Sequence, residues 1–292
     1  MRVLQLDAGK EMRGGQWQVL RLIEGLASKG VESTLLARAG YPLYIAARRQ
    51  GWCVEPLGLT RAVIASRRHE LLHAHDAHSH TLGAIVRRRP LVVSRRVAFP
   101  IGTHHVSSKW KYGRARHYLA VSEFVKGVLA SGGVPPEQIS VVYDGVPLLE
   151  QSHPLKVRYL AKGLALAHEA AKIAGVEMER VADLERDLRD TGIFVYITAC
   201  EGLGSGVLLA MSAGAAVVAS RIGGLPEAIR HRHDGLLVEN TPEAIAAGIR
   251  ELVENPEFAR RLGHEARRTI AERFTVERMV SRTMEVYKRV LA

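Results

Sequence analysis

Short apolar runs alternate with segments of helical period along the whole chain. Val3 to Leu6 reads as a strand and Gly14-Gly15 as a tight turn. Trp17, Leu20, Ile23 and Leu26 then share one helical face, and Gly30 supplies a C-terminal stop. Further strands are predicted at Val31 to Ala37, Leu71 to His75, Leu91 to Ser94, Tyr118 to Val121 and Ile139 to Tyr143. Ser122 is suited to cap a helix running through Val128. Strands separated by helices imply a parallel sheet covered on its faces.

Val146 to Pro154 has no helical period and carries prolines at positions 147 and 154, which marks a linker. Beyond it the alternation resumes. Lys162 to Ala174 is predicted as a helix, Val176 to Val181 and Ile193 to Thr198 as strands, and Ala215 to Ser220 and Gly235 to Glu239 likewise. Thr241-Pro242 is an N-cap followed by proline at the first helical position, opening a helix to Val253. Helices from Pro256 and from Thr275 end the chain, and Met279, Val280, Met284 and Tyr287 in the last one have the spacing of a packed face. The pattern is that of an α/β protein of two Rossmann-like domains whose parallel sheets face across a cleft. The expected boundaries are 1–146, a linker at 147–156, and 157–292 including the terminal helices.

Composition narrows the class. The 292 residues, 47% hydrophobic and 24% charged, are enough for two real cores and exclude general disorder. Cys53 and Cys200 form no CxxC spacing, so neither a disulfide framework nor a zinc ribbon is indicated, and a reducing cytoplasm is the expected compartment. The chain enters its first strand without a signal-peptide apolar region, and its longest apolar stretch is too short to span a bilayer. Charge is uneven: residues 1–150 hold 21 Lys and Arg against 11 Asp and Glu, whereas residues 151–292 hold 20 against 19. Nearly all of the net +11 therefore lies in the first half, which favours an anionic partner such as a nucleotide phosphate or an acidic lipid headgroup. The basic groups lack interleaved aromatics, so nucleic acid is not expected.

In open parallel sheets ligands collect at the carboxyl ends of strands, which directs attention to four segments. Asp7 to Gly15 follows the first strand, and its Gly14 and Gly15 open a helix whose N-terminal amides suit an anion. Thr198 to Gly206 contains Glu201, Gly202, Leu203, Gly204 and Ser205 between a strand and a helix, again a turn suited to phosphate. It is not a dinucleotide fingerprint, because Val207 stands where the third glycine belongs and no acidic residue ends the next strand. His73 to His80 carries four histidines around Asp76. His73 and His75 on one strand face are compatible with metal, but such residues more often line a polar cleft, and His75, Asp76 or His78 could orient an acceptor hydroxyl. Arg158 and Lys162, read as the first loop of the second domain, are placed to neutralise a diphosphate leaving group.

Together these landmarks resemble the glycosyltransferases of family 4. Gly14-Gly15, His73-Ala-His-Asp76, Ala120-Val-Ser122 and Val142-Tyr-Asp-Gly-Val146 match the family's first domain. Glu201-Gly-Leu-Gly204 with Ala210-Met211, Val217-Val-Ala-Ser220, Gly223-Gly-Leu-Pro-Glu227 and Asp234-Gly-Leu-Leu-Val238 match its second. The resemblance implies a GT-B fold and retaining transfer of a sugar from a nucleotide-diphosphate donor to a glycan or lipid-linked acceptor, with no metal and no other cofactor. By resemblance Arg158 and Lys162 would hold the diphosphate, while Glu201 and the amides of Gly202, Leu203, Gly204 and Ser205 would hold the donor sugar. Gly15 would bring its amide to the phosphates.

Three departures stand out. Leu209 occupies the position of the family's second glutamate, which usually contacts the donor ribose. The stretch between the linker and Glu201 is short by one or two strand–helix units. Arg95-Arg96 lie where many members place a histidine. The expected function is therefore a hexosyltransferase of polysaccharide or glycolipid assembly, cytoplasmic and peripheral at an inner membrane face through its basic first half. A non-catalytic GT-B protein binding an anionic glycan, lipid or nucleotide is the other reading.

Overall fold

The computed structural model describes residues 1–86, 88–101, 106–150, 156–160 and 163–292. The chain forms two compact units, residues 1–143 together with 276–292, and residues 144–275.

The first unit is built on a seven-stranded parallel sheet: β1 (Arg2–Asp7), β2 (Glu32–Ala37), β3 (Val54–Pro56), β4 (Leu71–Ala74), β5 (Leu91–Arg95), β6 (His117–Ala120) and β7 (Ile139–Val141). The spatial order is β3-β2-β1-β4-β5-β6-β7. Leu4 lies between Thr34 and Leu72 of its neighbours, and burial of Val3, Leu4 and Leu6 on both faces of the sheet explains why β1 is mostly apolar, with Gln5 its one polar interior residue. Order reverses between β1 and β4, which is where ligands bind in such sheets. The predicted helix cap at Ser122 is present, its Oγ accepting from Val125 N at 3.1 Å. Three short helices that the hydrophobic period does not single out, Pro42–Arg49, Leu59–Ser66 and Val106–Tyr112, complete the crossovers.

The terminal helix Val276–Leu291 belongs to the first unit, so the sequence-based boundary that ran the second domain to residue 292 changes there. Its Met279, Val280 and Tyr287 share a core cluster with Leu22 and Leu26 of the helix Gly14–Ala27. Gly25 permits the close crossing, since a Cβ there would run into Val280.

The second unit carries β8 (Lys156–Tyr159), β9 (Glu179–Arg180), β10 (Thr191–Tyr196), β11 (Ala216–Ser220) and β12 (Leu236–Val238), all parallel, in the order β12-β11-β10-β8-β9. Five strands where the first unit has seven agrees with the short stretch ahead of Glu201. The order reverses between β8 and β10. Thr241 caps the helix Pro242–Glu254 as predicted, accepting from Ala244 N at 3.2 Å. Ile245 and Ile249 of that helix pack with Ala167 and Ala170 of the helix Leu164–Ala174 over one face of the sheet. Of the predicted linker 147–156, residues 151–155 lie outside the described residues.

Candidate functional site: the strand-end turns of each unit

In the second unit the turn after β10 is held from three sides. Ser220 Oγ, at the end of β11, accepts from Thr198 N at 2.9 Å and donates to Asn240 Oδ1 at 2.6 Å, and Asn240 Nδ2 returns to Thr198 O at 2.9 Å. This ring of bonds fixes the ends of β10, β11 and β12 to one another. Glu201 follows, half-buried. Its Oε1 accepts from Gly202 N at 3.0 Å and its Oε2 from the hydroxyl of Tyr196. Burial and the neighbouring Glu201 both push the Tyr196 phenol well above its ordinary value, so it remains a donor.

The backbone of Glu201 is fixed from behind by the Gly223-Gly224 turn. Gly224 N donates to Glu201 O at 3.2 Å, and Gly223, at φ +58°, leaves no room for a side chain against that same carbonyl oxygen. Gly204 sits at φ +92° and opens the helix Ser205–Ser212, whose first turn contains no acidic residue. Its leading amides therefore face the strand ends with the positive end of the helix dipole. Gly163, at φ +45°, is pressed against Ile197, so the turn after β8 touches the turn after β10 at the point where strand order reverses. The helix Leu164–Ala174 starts there, also with no acid in its first turn. Glu201, Gly202, Leu203, Gly204 and Ser205 are thus gathered at the switch point, as the sequence anticipated, while Lys162 lies outside the described residues.

Arg158 is the clear correction. The sequence places it in a loop ahead of a helix, but it lies inside β8 with its side chain 8% exposed. Its guanidinium donates to Asp190, to the carbonyl of Asp187, to Thr191 Oγ1 at 3.2 Å and to Glu179 at 3.2 Å. These acceptors hold its proton more tightly, the Asp190 bond first among them. A guanidinium so engaged is a structural tie between β8, β9 and the segment entering β10 rather than a diphosphate clamp. Arg221 is likewise occupied, donating to Leu237 O at 3.2 Å and pairing with Glu239 at 3.6 Å.

In the first unit the turn after β1 is organised by two carboxylates. Asp7, 1% exposed, accepts from Gly9 N at 2.7 Å and from Gln16 Nε2 at 3.1 Å. Asp76 accepts from Ala8 N at 2.6 Å, His78 N at 2.8 Å, Ser79 N at 3.1 Å and Ser79 Oγ at 2.6 Å. Asp76 is therefore the cap of the helix Ala77–Val86 and its tie to β1, so its sequence-based role toward an acceptor hydroxyl gives way to a structural one. His78 is exposed on the first turn of that helix.

His75 accepts at Nδ1 from Arg96 at 3.3 Å, which leaves Nε2 to donate to Gln5 Oε1 at 2.8 Å. His73 bonds Tyr287 and Ser94 at 2.6 and 2.8 Å. Burial first, and then neighbouring positive charge, keep both rings neutral. His80 turns away toward Lys111 O at 3.2 Å, and burial lowers it to about 3. Among the described residues no three His, Cys, Asp or Glu side chains are grouped to hold a metal. A Cβ on Gly15 would come no nearer than 3.9 Å to Arg96, so space remains before this turn. Asp7 and Arg96 are the residues that sequence reasoning passed over as site members. The first showed only as a polar end to an apolar strand, the second only as a substitution for a histidine.

Asp7 carries a pH prediction. Burial first and Asp76 second raise it from the ordinary 3.8 to about 6. The folded state then binds the proton more tightly than the unfolded chain, so this group's contribution to stability is full below about pH 4 and is lost as pH rises through about 6, roughly 3 kcal/mol in all. Asp7→Asn keeps an acceptor for Gly9 N, and chemical denaturation should show it flattening that decline. An unchanged slope would contradict the assignment.

Comparison with known proteins agrees with this geometry. The chain matches the family model described as glycosyltransferase family 4 over residues 12–149 and that of glycosyl transferases group 1 over residues 136–269. HepE of Anabaena, solved in complex with UDP and glucose, has the same fold at a TM-score of 0.86 and 17% identity, covering 99% of this chain and 100% of that one. The two parallel-sheet α/β units are those of the GT-B class. Between them the two models match residues 12–269, most of the chain, and both describe glycosyltransferases.

Among relatives, an uncharacterized glycosyltransferase of Methanocaldococcus jannaschii is 34% identical over 235 residues, covering 62% of this chain and 60% of that protein. The alpha-maltose-1-phosphate synthase of Mycolicibacterium smegmatis is 36% identical over 107 residues, 34% of this chain and 28% of that one. The chain thus spans less than two thirds of these curated relatives. Among the described residues no helix is long and apolar enough to cross a membrane.

Proposed function

We propose that the protein is a retaining glycosyltransferase that moves a sugar from a nucleotide-diphosphate donor to a glycan or lipid-linked acceptor. One observation carries the reading: at the switch point of the second sheet, Glu201 is fixed by Tyr196 and by the Gly223-Gly224 turn, directly ahead of a helix N-terminus free of acidic residues. Departing diphosphate carries the developing negative charge, and preorganised amides and a helix dipole are what that charge needs. Glu201 is assigned to the donor sugar, the amides of Gly204 and Ser205 to the phosphates, and Lys162 to the same anion. The complex of HepE with UDP and glucose supports a nucleotide-sugar donor. His75 and His78 are assigned to the acceptor side, no metal is required, and the basic first half holds the protein at an anionic membrane surface.

Water can replace the unknown acceptor in a direct test. Slow hydrolysis of an α-linked nucleotide sugar, followed by proton NMR, should release the α-anomer first. First appearance of the β-anomer would overturn retention.

A second reading is favoured by Leu209, 3% exposed within a buried helix, and by the engagement of Arg158. It makes the protein a GT-B binder of an anionic glycan, lipid or nucleotide without transfer. Absence of both hydrolysis and transfer, with nucleotide binding retained, would select it.

A further inference from the structure

We propose that the helices Leu59–Ser66, Ala77–Val86 and Val106–Tyr112 form one face of the first unit that docks on an anionic lipid bilayer. The proposal deepens the membrane-side reading given above and rests on it for its purpose.

The three helices connect β3 to β4, β4 to β5 and β5 to β6, successive steps in one direction across the sheet. Right-handed crossovers therefore place them side by side on a single face. Direct bonds join them: Arg89 Nε donates to Ser66 O at 3.2 Å, Lys111 Nζ donates to Ala77 O at 2.6 Å, and the His80 ring stands edge-on to Tyr112 at 5.0 Å.

Each helix repeats the same surface device in or near its last turn. An exposed apolar side chain is followed three or four residues later by an arginine: Ile64 and Arg67, Ile85 and Arg88, Trp110 and Arg114. The apolar members are 48%, 45% and 40% exposed. The Arg114 guanidinium lies 5.5 Å over the Trp110 ring. A cation at a helix C-terminus is explained by the dipole alone; an outward apolar side chain beside it, repeated on three adjacent helices, makes a patterned surface rather than scattered single exposures.

The face also lacks negative charge. Residues 77–122 contain nine Lys and Arg and no Asp or Glu, and residues 56–69 contain no carboxylate either. Acids flanking these segments in the chain are already engaged: Asp76 by its cap, Glu70 by Arg2 N at 2.6 Å, and Glu55 by Arg61 of the first helix at 3.5 Å. Aliphatic side chains interleaved with arginines suit the headgroup region, where the apolar tips insert and the cations meet lipid phosphates. RNA would call for stacking aromatics, and only Trp110 among the three apolar positions is aromatic. His78 lies in the first turn and Ile85 in the last turn of the helix Ala77–Val86, so the docked face and the acceptor-side turn lie about 10 Å apart along one rigid element.

Co-sedimentation of the full chain with vesicles tests this without any sugar transfer. Binding is expected to vesicles of equal phosphatidylcholine and phosphatidylglycerol, and not to phosphatidylcholine alone. Each of Arg67→Gln and Arg88→Gln should weaken it roughly five-fold at low salt. Ile64→Ser with Ile85→Ser should weaken it further at high salt, where charge is screened. Both sets of positions are exposed, so unchanged melting curves confirm that the variants fold. Equal binding by wild type and variants, no preference for the anionic vesicles, or tighter capture by single-stranded RNA would overturn the proposal. Nucleotide binding measured on the same variants should be unchanged, so failure here is separable from failure of the donor reading.

Discussion

Replacing Glu201 with glutamine is expected to lower sugar transfer by about two to three orders of magnitude, the scale seen when one preorganised transition-state contact is lost. The amide oxygen keeps an acceptor for the Tyr196 hydroxyl, whereas the oxygen that accepts from Gly202 N becomes an NH2, so the charge and that one local bond are lost and the fold should survive with little change. Glu201→Ala should lose the same activity and also some stability, because Tyr196, 1% exposed, would be left with a buried hydroxyl lacking that partner. That penalty is roughly 1–3 kcal/mol. Transfer by the glutamine variant at the wild-type rate would remove Glu201 from the chemistry, whatever the alanine variant does.

Gly223→Ala should be the most damaging small change in the second unit. The residue sits at φ +58°, where a side chain costs about 1–2 kcal/mol by itself. The added methyl also collides with the Glu201 carbonyl oxygen, which is backbone and can yield only by moving the donor turn. A combined loss of about 3 kcal/mol is expected in chemical denaturation. Nucleotide affinity should fall with it, since the displaced segment carries Glu201 through Ser205. A variant as stable as wild type, with its nucleotide binding intact, would show that the Gly223 turn does not support the site.

Much of this architecture is written locally in the chain. Thr241-Pro242 and Ser122 announce their helices because a cap is a contact over three residues, visible without any tertiary knowledge. The buried strands β10 and β11 are legible as short apolar runs, and β1 as one interrupted only by Gln5. The Glu201 turn was legible because its glycines follow a strand and precede a helix, the arrangement the structure contains.

What sequence reasoning misread was decided at a distance. Arg158 stands four residues before Lys162 in the chain, which suggests a shared loop. Its partners Glu179 and Asp190 come from segments that only the folding of the second sheet brings to it. Asp76 resembles a cleft carboxylate because it follows a strand and stands among four histidines. The helix beginning at Ala77 and the amide of Ala8 claim its oxygens instead. The terminal helix showed an apolar face at the right spacing, yet nothing in that spacing names Gly25 and Leu22 as its partners.

The switch point of the second sheet is proposed above as a nucleotide-diphosphate site. Thermal unfolding with uridine, guanosine, adenosine and cytidine diphosphates, each with and without magnesium, tests it with no knowledge of the acceptor. A ligand at one hundred times its dissociation constant stabilises the native state by about 2.7 kcal/mol, enough to move a melting curve clearly. One base should produce that shift in the wild-type protein, independently of magnesium, and the shift should be lost in Gly223→Ala. No shift with any of the four, or a shift that Gly223→Ala leaves intact, would contradict the assignment of this site.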